Sequence, residues 1–435
     1  MSQIKRKVAF YTLGCKLNFA ETSYISTLFP EERYTKVSPD QQADIYVINT
    51  CTVTSEADRK CRQAIRKFIN RSPSSIIAVI GCYSQLRAKE IANIPGVDIV
   101  LGTKDKFNLV SLLDRTNSKA KTAITEAGNI EEEKEFIHSW SSGDRTRTFI
   151  KVQDGCDYRC AYCTVPLARG RSRNAPISSI IEEIKNISSG GVPEIVITGV
   201  NIGDFGKSTG ESFTELLRQI ENLEEIKRIR LSSIEPDLLK DEIIELVAKS
   251  SKIMPHFHIP LQSGSDKILR LMRRRYTATL FISLVEKIRR AIPLAGIGAD
   301  IITGFPGETE EDFNETFSLI DSLPVSYLHV FPYSERPGTP AREFKDKVKP
   351  EVRNERRKKL TELSKKKNME FKLMNINSIH EVLFENRVKN RMISGFTGNY
   401  LRVEHPFEKG LQGTIRKVLI TGINPSGNMS VKLID

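Results

Sequence analysis

The sequence predicts an α/β protein whose three parts follow one another along the chain. Short apolar runs alternate with helical patterns over most of the 435 residues, as in parallel sheets covered by helices. About the last sixty residues instead contain short alternating strands separated by turns with Gly and Asn, which is typical of a small β-barrel. A chain of this length exceeds one typical domain, so we expect two or three.

The first part, residues 1–115, is predicted to be a Rossmann-like α/β domain. Its apolar runs predict parallel strands at Val8–Leu13, Ile45–Asn49, Ile76–Ile80 and Val97–Leu101, with helices at Glu21–Phe29 and Ala57–Ile69. Residues 116–146 differ, because they hold Lys, Thr, Ser and Gly and an acidic run. We expect a linker there.

The second part, residues 147–372, is predicted to be a partial (βα)6 barrel of the TIM type that ends in a basic helix. Its strands are predicted at Phe149–Val152, Glu194–Thr198, Arg228–Leu231, His256–Pro260, Gly298–Ile302 and Tyr327–Phe331. Its helices are predicted at Ile177–Ile187, Phe213–Leu223, Leu239–Ala248, Leu280–Ala291 and Glu311–Leu323. Repeated βα units with right-handed crossovers close naturally into a full or partial barrel.

The third part, residues 373–435, is predicted to be a compact antiparallel β-barrel. Its strand candidates are HEVLFENRV, GNYLRVEH, GTIRKVLIT and NMSVKLID. The preceding helix, from about residue 350 to 372, is rich in lysine. With a net charge of +12 for the whole chain, this clustering favours a polyanionic partner in contact with Lys358, Lys359, Lys365, Lys366 and Lys367, and a solvated helix face is the alternative.

Composition also limits where the protein acts. No apolar run is long enough to span a membrane, and the N-terminus lacks the pattern of a signal peptide, so we expect a cytoplasmic protein without a membrane partner. Seven cysteines are present, and three of them lie within eight residues. In a reducing compartment such a group is expected to bind metal rather than to form disulfides.

Cys156, Cys160 and Cys163 in CDYRCAYC follow the first predicted barrel strand. Barrel active sites form at that end of the strands. Three thiolates can hold three irons of a 4Fe–4S cluster and leave the fourth iron open for chemistry. The alternative is a zinc or structural site, but zinc needs a fourth ligand, and His138 and His256 are distant in sequence.

Three further cysteines each close an apolar run: Cys15 in FYTLGC, Cys51 in YVINTC and Cys82 in IAVIGC. Ligands of open α/β sheets collect beyond the carboxyl ends of the strands, so these thiols are expected to converge. One alone would be interpreted as a small buried hydrophobe. Their repetition favours a second three-cysteine cluster, whereas Cys61 lies within a predicted helix and is expected not to be a ligand.

The spacing in CDYRCAYC resembles the CxxxCxφC motif of radical S-adenosylmethionine enzymes, with Tyr162 as the aromatic residue. TLGCKLNFAET, INTCTVTSEADRK, VIGCYSQ and CDYRCAYCTVPLARGRSR resemble the methylthiotransferase family, and the C-terminal sixty or so residues resemble its RNA-binding TRAM domain. The likeness covers nearly the whole chain. Within the family, GCKLN followed by ET resembles the branch that acts on N-threonylcarbamoyladenosine in tRNA.

This resemblance implies two 4Fe–4S clusters and S-adenosylmethionine as cofactors. The cofactor would be cleaved at the Cys156–Cys160–Cys163 cluster, and the second cluster would carry the sulfur. The product would be 2-methylthio-N-threonylcarbamoyladenosine at tRNA position 37. The implied partners are that tRNA and an electron donor such as flavodoxin or ferredoxin, and the protein is expected to be a monomer.

Residues near the predicted strand ends are expected to line the cofactor, although turn chemistry alone would also place such residues there. They are Tyr162, Thr198, Gly199, Asn201, Ser232, Ser233, Glu235, His258, Gln262, Ser263 and Asp300. GDFGKST is not a phosphate loop, because position 201 holds Asn where that motif needs Gly. His329 is expected to be a hydrogen-bonded core histidine.

Two arginine groups are the predicted substrate contacts, and a solvated surface is the alternative. They are Arg169, Arg171 and Arg173 after the cluster loop, and Arg273, Arg274 and Arg275 after the fourth barrel strand. A threonylcarbamoyl group ends in a carboxylate, for which an arginine fork is well suited.

Three other functions compete with this hypothesis. Within the family these are methylthiolation of isopentenyladenosine in tRNA or of a ribosomal protein, and the basic C-terminal third argues against a basic protein target. From another class, the chain could be a non-enzymatic iron–sulfur protein that binds RNA or senses redox state. An open-iron loop on a six-unit barrel is hard to explain in such a protein.

Overall fold

The computed structural model describes residues 5–115, 119, 122–141, 146–188 and 190–434. The strands are β1 (Arg6–Thr12), β2 (Tyr34–Val37), β3 (Ile45–Thr50), β4 (Ile76–Gly81), β5 (Ile99–Leu101), β6 (Ile124–Glu126), β7 (Thr148–Lys151), β8 (Glu194–Thr198), β9 (Arg228–Leu231), β10 (His256–His258), β11 (Gly296–Thr303), β12 (Tyr327–Pro332), β13 (Ile379–Lys389), β14 (Met392–Thr397), β15 (Arg402–Pro406), β16 (Ile415–Ile423) and β17 (Met429–Leu433). The helices are α1 (Lys16–Thr27), α2 (Ser55–Arg71), α3 (Cys82–Ala92), α4 (Leu109–Arg115), α5 (Val165–Arg169), α6 (Ile177–Ser188), α7 (Phe213–Glu221), α8 (Asp241–Lys249), α9 (Asp266–Leu271), α10 (Ala278–Ala291), α11 (Glu310–Ser322) and α12 (Pro350–Met374).

The chain forms two compact units. The first comprises Met1–Ser142, Phe149–Asn174 and Ser334–Arg342, and the second comprises Gly143–Thr148, Ala175–Tyr333 and Glu343–Asp435. The cluster loop that holds Cys156, Cys160 and Cys163 therefore belongs to the same unit as the N-terminal α/β sheet. No helix in the described ranges is long and apolar enough to cross a membrane.

The first unit is built on a six-stranded parallel sheet in the order β2-β1-β3-β4-β5-β6. Val8 pairs with Ile45, Ile45 with Ile76, and Ala78 with Ile99. Every residue of β3 and β4 is buried, as expected for central strands covered on both faces. β1, β3 and β4 are neighbours, so their carboxyl ends lie side by side at one edge.

Part of the predicted linker is ordered structure of the first unit. β6 pairs with β5 at the edge of the sheet, and Trp140 forms an antiparallel bridge with Ile150. A three-residue strand between polar segments gives little periodicity, which explains why the sequence did not indicate it. Residues 116–118, 120–121 and 142–145 of that prediction lie outside the described residues.

The second unit contains the parallel strands β8 to β12, with helix α6 before them and helices α7 to α11 between them. Ile195 of β8 pairs with Ile229 of β9, and β11 pairs with both β10 and β12. A parallel bridge between Ser233 and His258 connects the two groups of strands. The predicted α/β fold class of parallel βα units is therefore confirmed, and four of these five strands are longer than or equal to their predicted spans.

The C-terminal strands close into a barrel in the order β13-β14-β15-β17-β16. β14, which the sequence analysis missed, makes the strand number five. All neighbouring pairs are antiparallel except β15 and β17, where Val403 pairs with Met429 in parallel. An odd number of strands cannot alternate in direction around a closed ring, so one parallel pair is required. The prediction of a purely antiparallel barrel was therefore wrong for the pair β15 and β17.

The turn between β14 and β15 lies at the amino-terminal ends of β9 and β10 within the second unit. Arg230 donates to the carbonyl oxygens of Thr397 and Gly398 at 3.2 and 2.9 Å. The Tyr400 ring lies 4.6 Å from the His256 ring, and the Arg230 guanidinium lies 4.8 Å from the Tyr400 ring. The lower end of the sheet is therefore filled by the C-terminal barrel, and its upper, carboxyl end carries the polar strand ends.

Candidate iron–sulfur and cofactor sites

Cys15, Cys51 and Cys82 follow β1, β3 and β4, which are three neighbouring strands of the first unit. A Cβ atom on Gly14, whose φ is +113°, would lie 2.7 Å from the Cβ of Cys51, so glycine permits this close approach. Burial raises the pKa of Cys51 to about 12, and the charges of Cys82 and Cys15 add to this effect. The three thiols thus share one environment, as the sequence predicted from their strand ends.

Asn18 on α1 holds two of these strand ends together. Its side-chain amide donates to the carbonyl oxygens of Leu13 and Thr50 at 2.9 and 3.1 Å. Its side-chain oxygen accepts from the Cys15 Sγ at 3.7 Å. A buried amide with these partners fixes the backbone next to Cys15 and Cys51, because each lost hydrogen bond would leave a buried polar group unsatisfied.

A buried ionic network lies beside this cysteine group. Glu21 is fully buried, with Lys106 Nζ at 2.6 Å and Arg169 at 3.0 Å from its carboxylate. Asp154 is paired with Arg169 at 2.9 Å and with Arg173 at 3.2 Å. Lys151 lies within 3.7 Å of Glu21 and 3.5 Å of Asp154. Four buried cations therefore surround two carboxylates.

The cations of this network affect the pKa of a neighbouring cysteine as well as that of Glu21. Burial alone would raise the pKa of Glu21, but Arg169, followed by Lys106 and Lys151, lowers it to about 2. Burial raises the pKa of Cys82, whereas Arg169 and Lys106 oppose this rise. The excess of positive charge in the network favours anionic sulfur at Cys82, which is the protonation state that a metal ligand needs.

The second cysteine group lies in the loop between β7 and α5. The backbone N–H groups of Tyr158 and Val165 donate to the sulfurs of Cys156 and Cys163, each at 3.4 Å. Hydrogen bonds of this kind stabilise thiolate ligands and tune iron–sulfur clusters. All seven cysteines lie in the described residues, and none forms a disulfide. Each group thus offers three thiols, the number that a 4Fe–4S cluster with one open iron needs, and their role as ligands stays a prediction.

Cys61 is placed differently from these six. It is fully buried on α2, and its Sγ donates to the carbonyl oxygen of Cys51 at 3.3 Å. Burial raises the pKa of Cys61 to about 11. The sulfur of Cys61 thus stabilises the backbone at Cys51. That Cys61 is not a cluster ligand stays a prediction.

In the second unit, several of the predicted cofactor residues meet at the carboxyl ends of the strands. Ser232 Oγ donates to Thr198 Oγ1 at 3.2 Å, and Ser233 pairs with His258. Gln262 has a φ of +68°, and its backbone bonds to Asp300 and Ile302 continue the sheet beyond β10. The cofactor-binding role remains a prediction for these residues and for Tyr162, Gly199 and Asn201.

The side chains of two other predicted cofactor residues already contact other protein groups. The Ser263 hydroxyl is buried, lies 3.3 Å from Thr316 Oγ1 and accepts the backbone N–H of Ser265. Glu235 is paired with Arg274. These contacts stabilise the loop after β10, so both residues have a structural role whether or not they also touch a ligand.

The six predicted substrate arginines fall into two classes. Arg169, Arg173 and Arg274 have nearly buried guanidinium groups that are paired with carboxylates. Arg171, Arg273 and Arg275 are exposed. We therefore reinterpret the first three as parts of buried ion pairs, because moving such a cation to a substrate would remove charged hydrogen bonds from a carboxylate. For the exposed three the substrate role stays a prediction.

His258, Asp300 and His329 converge on the inner face of the second unit's sheet. Asp300 Oδ1 lies 2.9 Å from His258 Nε2 and 3.3 Å from His329 Nδ1. Burial would raise the pKa of Asp300, but the two imidazoles bring it below its ordinary value. These three ligand atoms lie within 4.8 Å of one another, close enough to share a metal ion. The His329 side chain is 53% exposed, so the prediction of a core histidine was wrong.

Comparison with known proteins assigns the family. A model of the Radical SAM superfamily matches residues 150–320, and a model of the uncharacterized protein family UPF0004 matches residues 7–102. A threonylcarbamoyladenosine tRNA methylthiotransferase, MtaB of Bacillus subtilis (strain 168), is 41% identical over 421 residues, which are 95% of this chain and 93% of that protein. The chain belongs to the radical S-adenosylmethionine tRNA methylthiotransferase family.

Other relatives agree with this assignment, and a solved structure shares the fold. The MtaB protein of Aquifex aeolicus (strain VF5) is 37% identical over 95% of this chain and 100% of its own length. A tRNA-2-methylthio-N(6)-dimethylallyladenosine synthase of Clostridium tetani (strain Massachusetts / E88) is 35% identical over 94% of this chain and 92% of its own. The radical S-adenosylmethionine methyltransferase TsrM of Kitasatospora setae shares the fold, with a TM-score of 0.56 and 15% identity over 78% of this chain and 75% of that one.

For this methylthiotransferase, the predicted enzyme class and the predicted cofactor types, iron–sulfur clusters and S-adenosylmethionine, are confirmed. The sequence analysis missed Asn18, Glu21, Lys106, Lys151 and Asp154. A signal was present for three of them. Asn18 and Glu21 are three residues apart on one face of α1. Lys151 also interrupts an apolar strand, where a charge needs a buried partner.

Proposed function

We propose that this methylthiotransferase converts N-threonylcarbamoyladenosine at tRNA position 37 into its 2-methylthio derivative. The observation that carries the proposal is the presence of two separate groups of three thiols in one unit, each suited to a cluster with an open iron. One such cluster suffices for cleavage of S-adenosylmethionine, whereas sulfur insertion needs a second metal centre. Relatives named for this substrate, at 37–41% identity over nearly all of both chains, support the choice of nucleoside.

The protein's own contribution is to hold and shield the clusters. Cys15, Cys51 and Cys82 would hold the cluster that carries sulfur, and the CDYRCAYC cysteines would hold the one that binds S-adenosylmethionine. When bound, the clusters and S-adenosylmethionine supply the electron transfer, the radical and the methylthio group. Asn18 fixes the backbone at the first group, and Arg169 provides compensating positive charge close to Cys82. Rigid placement of this kind lowers the cost of bringing reacting groups together.

Recognition of the threonylcarbamoyl carboxylate falls to the exposed arginines in this proposal. Arg171 follows the cluster loop, and Arg273 and Arg275 follow α9. A guanidinium can donate two parallel hydrogen bonds to a carboxylate, which an isopentenyl group cannot accept. A site that uses Arg171, or a site that uses Arg273 and Arg275, would therefore discriminate between the two modified adenosines.

The test is mass analysis of nucleosides from tRNA that has been incubated anaerobically with the reconstituted enzyme, S-adenosylmethionine and reductant. Three tRNA preparations are compared, which carry N-threonylcarbamoyladenosine, isopentenyladenosine or unmodified adenosine at position 37. We expect the 2-methylthio product from the first and little product from the others. Equal or greater turnover of the isopentenylated tRNA would overturn the substrate assignment in favour of the synthase branch.

The same assay addresses the physiological reductant. We propose a small electron-transfer protein such as flavodoxin or ferredoxin, since one-electron reduction of a cluster starts the reaction. Replacement of the chemical reductant by either protein with its reductase should preserve turnover. The enzyme is proposed to act as a monomer, and sedimentation of the reconstituted chain, alone and with tRNA, measures this directly.

A further inference from the structure

Residues Ser334–Arg342 follow β12 in sequence but belong to the first unit. We call this stretch, SERPGTPAR, the clasp segment. At its beginning, the Ser334 hydroxyl accepts the backbone N–H of Ser55, the first residue of α2, at 3.0 Å. Near its end, the backbone N–H of Ala341 donates to the carbonyl oxygen of Ala161 at 2.8 Å. Ala161 lies inside CDYRCAYC, so the clasp segment is bonded directly to the loop of the second cysteine group.

Arg336 lies in the middle of the clasp segment and is 4% exposed. Its Nη2 donates to Thr52 Oγ1 at 2.6 Å and to Asp58 Oδ2 at 2.7 Å. The Thr52 hydroxyl in turn donates to Asp58 Oδ1 at 2.7 Å, so the three side chains form a closed ring of buried hydrogen bonds. Thr52 directly follows Cys51 in sequence. Arg336 therefore fixes the backbone beside one ligand candidate of the first cysteine group.

The backbone of Thr52 also contacts the second cysteine group. Thr164, which directly follows Cys163, donates its hydroxyl to the carbonyl oxygen of Thr52. The distance of 3.4 Å is long for an O–H···O hydrogen bond, so this contact alone would hold the two loops only weakly. Arg336 and Ala341 add shorter contacts, one to each loop. The clasp segment therefore holds the two loops at a defined spacing.

Two features of this arrangement point to geometry rather than to stability. A buried ion pair such as that of Arg336 and Asp58 contributes little net stability compared with apolar side chains of similar volume, because desolvation offsets the attraction. Charge-assisted hydrogen bonds are directional, however, and they fix the groups that they join. The Thr52 hydroxyl bonds to both members of the pair, which orients them in a way that charge neutralisation alone does not require.

We propose that Arg336 is a positioning residue that sets the spacing of the two cysteine groups, by holding Thr52 next to Cys51 while Ala341 holds the loop of CDYRCAYC. The inference rests on the proposed function, in which the first group serves the sulfur-bearing centre and the second serves cleavage of S-adenosylmethionine. A reaction that joins groups from two centres is sensitive to their spacing, and a displacement of about 1 Å can lower its rate about a hundred-fold. Cleavage of S-adenosylmethionine needs only one of the centres. Loss of Arg336 should therefore separate the two activities.

The experiment uses the full-length reconstituted enzyme and the variants Arg336→Gln and Arg336→Lys. Arg342→Gln is the matched control, because Arg342 ends the same segment and is exposed. For each protein we measure iron content, 5′-deoxyadenosine and the methylthiolated nucleoside formed from tRNA that carries N-threonylcarbamoyladenosine. We expect Arg336→Gln to keep its iron and its formation of 5′-deoxyadenosine, while the product formed per 5′-deoxyadenosine falls by between about ten-fold and about a hundred-fold. Arg336→Lys keeps the charge but not the planar fork, and should recover this ratio only in part.

Hydrogen exchange of the same reconstituted proteins reports the positioning independently of activity. Residues 51–55 and 160–165 should exchange at least about ten-fold faster in Arg336→Gln than in the wild type, because the lost charged hydrogen bonds hold these segments closed. Exchange in Arg342→Gln should match that of the wild type.

Two variants of Thr52 test the directed contact in a protein that keeps the ion pair of Arg336 and Asp58. Thr52→Ser retains the hydroxyl and should keep the ratio of product to 5′-deoxyadenosine within about two-fold of the wild-type value. Thr52→Val removes the hydroxyl at nearly the same volume and should lower the ratio by at least about five-fold. These two variants decide the question if Arg336→Gln does not fold.

The proposal is overturned if the ratio is unchanged in Arg336→Gln, if it is equal in Thr52→Val and Thr52→Ser, or if Arg342→Gln lowers it as much as Arg336→Gln does. A lowered ratio without faster exchange in either segment also overturns it. So does a parallel fall of product, 5′-deoxyadenosine and iron content in Arg336→Gln, since Arg336 would then only stabilise the fold. If the wild type methylthiolates isopentenyladenosine instead of N-threonylcarbamoyladenosine, the proposed function fails, and the same ratio measured on that tRNA decides the role of Arg336.

Discussion

The Arg169 guanidinium donates to the side-chain oxygen of Asn18 at 2.7 Å, and both residues are almost completely buried. Asn18 is the residue that ties the strand ends at Cys15 and Cys51, so this bond connects the buried ionic network to the first cysteine group. Arg169 follows the second cysteine group by six positions and closes α5. One side chain therefore links the supports of both groups within the first unit.

Replacement of Arg169 by Met should weaken the first cluster more than it weakens the fold. Glu21 and Asp154 keep Lys106 and Lys151 as partners in the variant, so the loss of charged hydrogen bonds should cost about 1.5–3 kcal/mol. The positive charge near Cys82 falls, and we expect slower reconstitution and a lower reduction potential of that cluster. Spectroelectrochemical titration measures the potential.

The matched control is Arg171→Met, since Arg171 lies two positions away and is exposed. It should leave iron content, potential and thermal stability unchanged. Equal cluster potentials in wild type and Arg169→Met would show that the network is only structural.

Glu21 should make the first unit sensitive to acid. Its pKa in the folded protein is about 2, below the ordinary value of 4.5, so its ionic contribution to stability is complete above about pH 4.5. This contribution should decline as the pH falls from about 4.5 towards 2. Thermal unfolding of the metal-free protein as a function of pH measures the effect.

In Glu21→Gln, Lys106 and Arg169 lose their shared carboxylate, and an unpaired buried charge costs about 3–5 kcal/mol. We therefore expect Glu21→Gln to lower stability at neutral pH more than Arg169→Met does, and to have a flatter dependence on pH in this range. A pH dependence as steep as that of the wild type would assign the acid sensitivity to other carboxylates.

Iron analysis should separate the two cysteine groups. The reconstituted wild type should hold about eight irons per chain, since each group of three thiolates supports one four-iron cluster. Changing Cys156, Cys160 and Cys163 to Ala should leave about four irons and abolish cleavage of S-adenosylmethionine. Changing Cys15, Cys51 and Cys82 to Ala should also leave about four irons but preserve cleavage. Cys61→Ala is the control and should keep both clusters, although loss of its buried contact lowers stability.

Periodicity predicted the fold class because it depends on local patterns, and the role of the six cysteines as cluster ligands stays a prediction. The strand Glu194–Thr198 was predicted with its observed bounds, and the three isolated cysteines were placed on neighbouring strands. The ion-pair partners of buried charged residues could not be predicted in the same way. Arg169 pairs with Glu21 across 148 positions, and nothing in ARGRSR distinguishes a buried arginine from an exposed one. His329 was misjudged because alternation does not reveal which face of a strand remains open.

The contact of Tyr400 with His256 leads to a last prediction, that the C-terminal barrel stabilises the parallel strands of the second unit in addition to any role in RNA binding. Removing residues from Asn377 onward would take away the carbonyl acceptors of Arg230 and the ring that covers His256. We expect this truncation to lower the thermal unfolding temperature of the remaining chain. Tyr400→Ala should reproduce part of the loss. We expect less than the about 3–5 kcal/mol that removal of a fully buried aromatic ring costs, because Tyr400 is only partly buried.

Phe407→Leu serves as the control, because Phe407 is an aromatic residue of the same barrel that is 39% exposed. It should change stability by less than about 0.5 kcal/mol. Binding of tRNA by the stable variants, measured over a range of salt concentrations, then distinguishes the two roles of the barrel. If Tyr400→Ala keeps the salt dependence of the wild type while its unfolding temperature falls, the turn acts through the sheet, because the number of phosphate contacts sets that slope. An unfolding temperature that is unchanged in both the truncation and Tyr400→Ala would show that the sheet does not depend on the barrel.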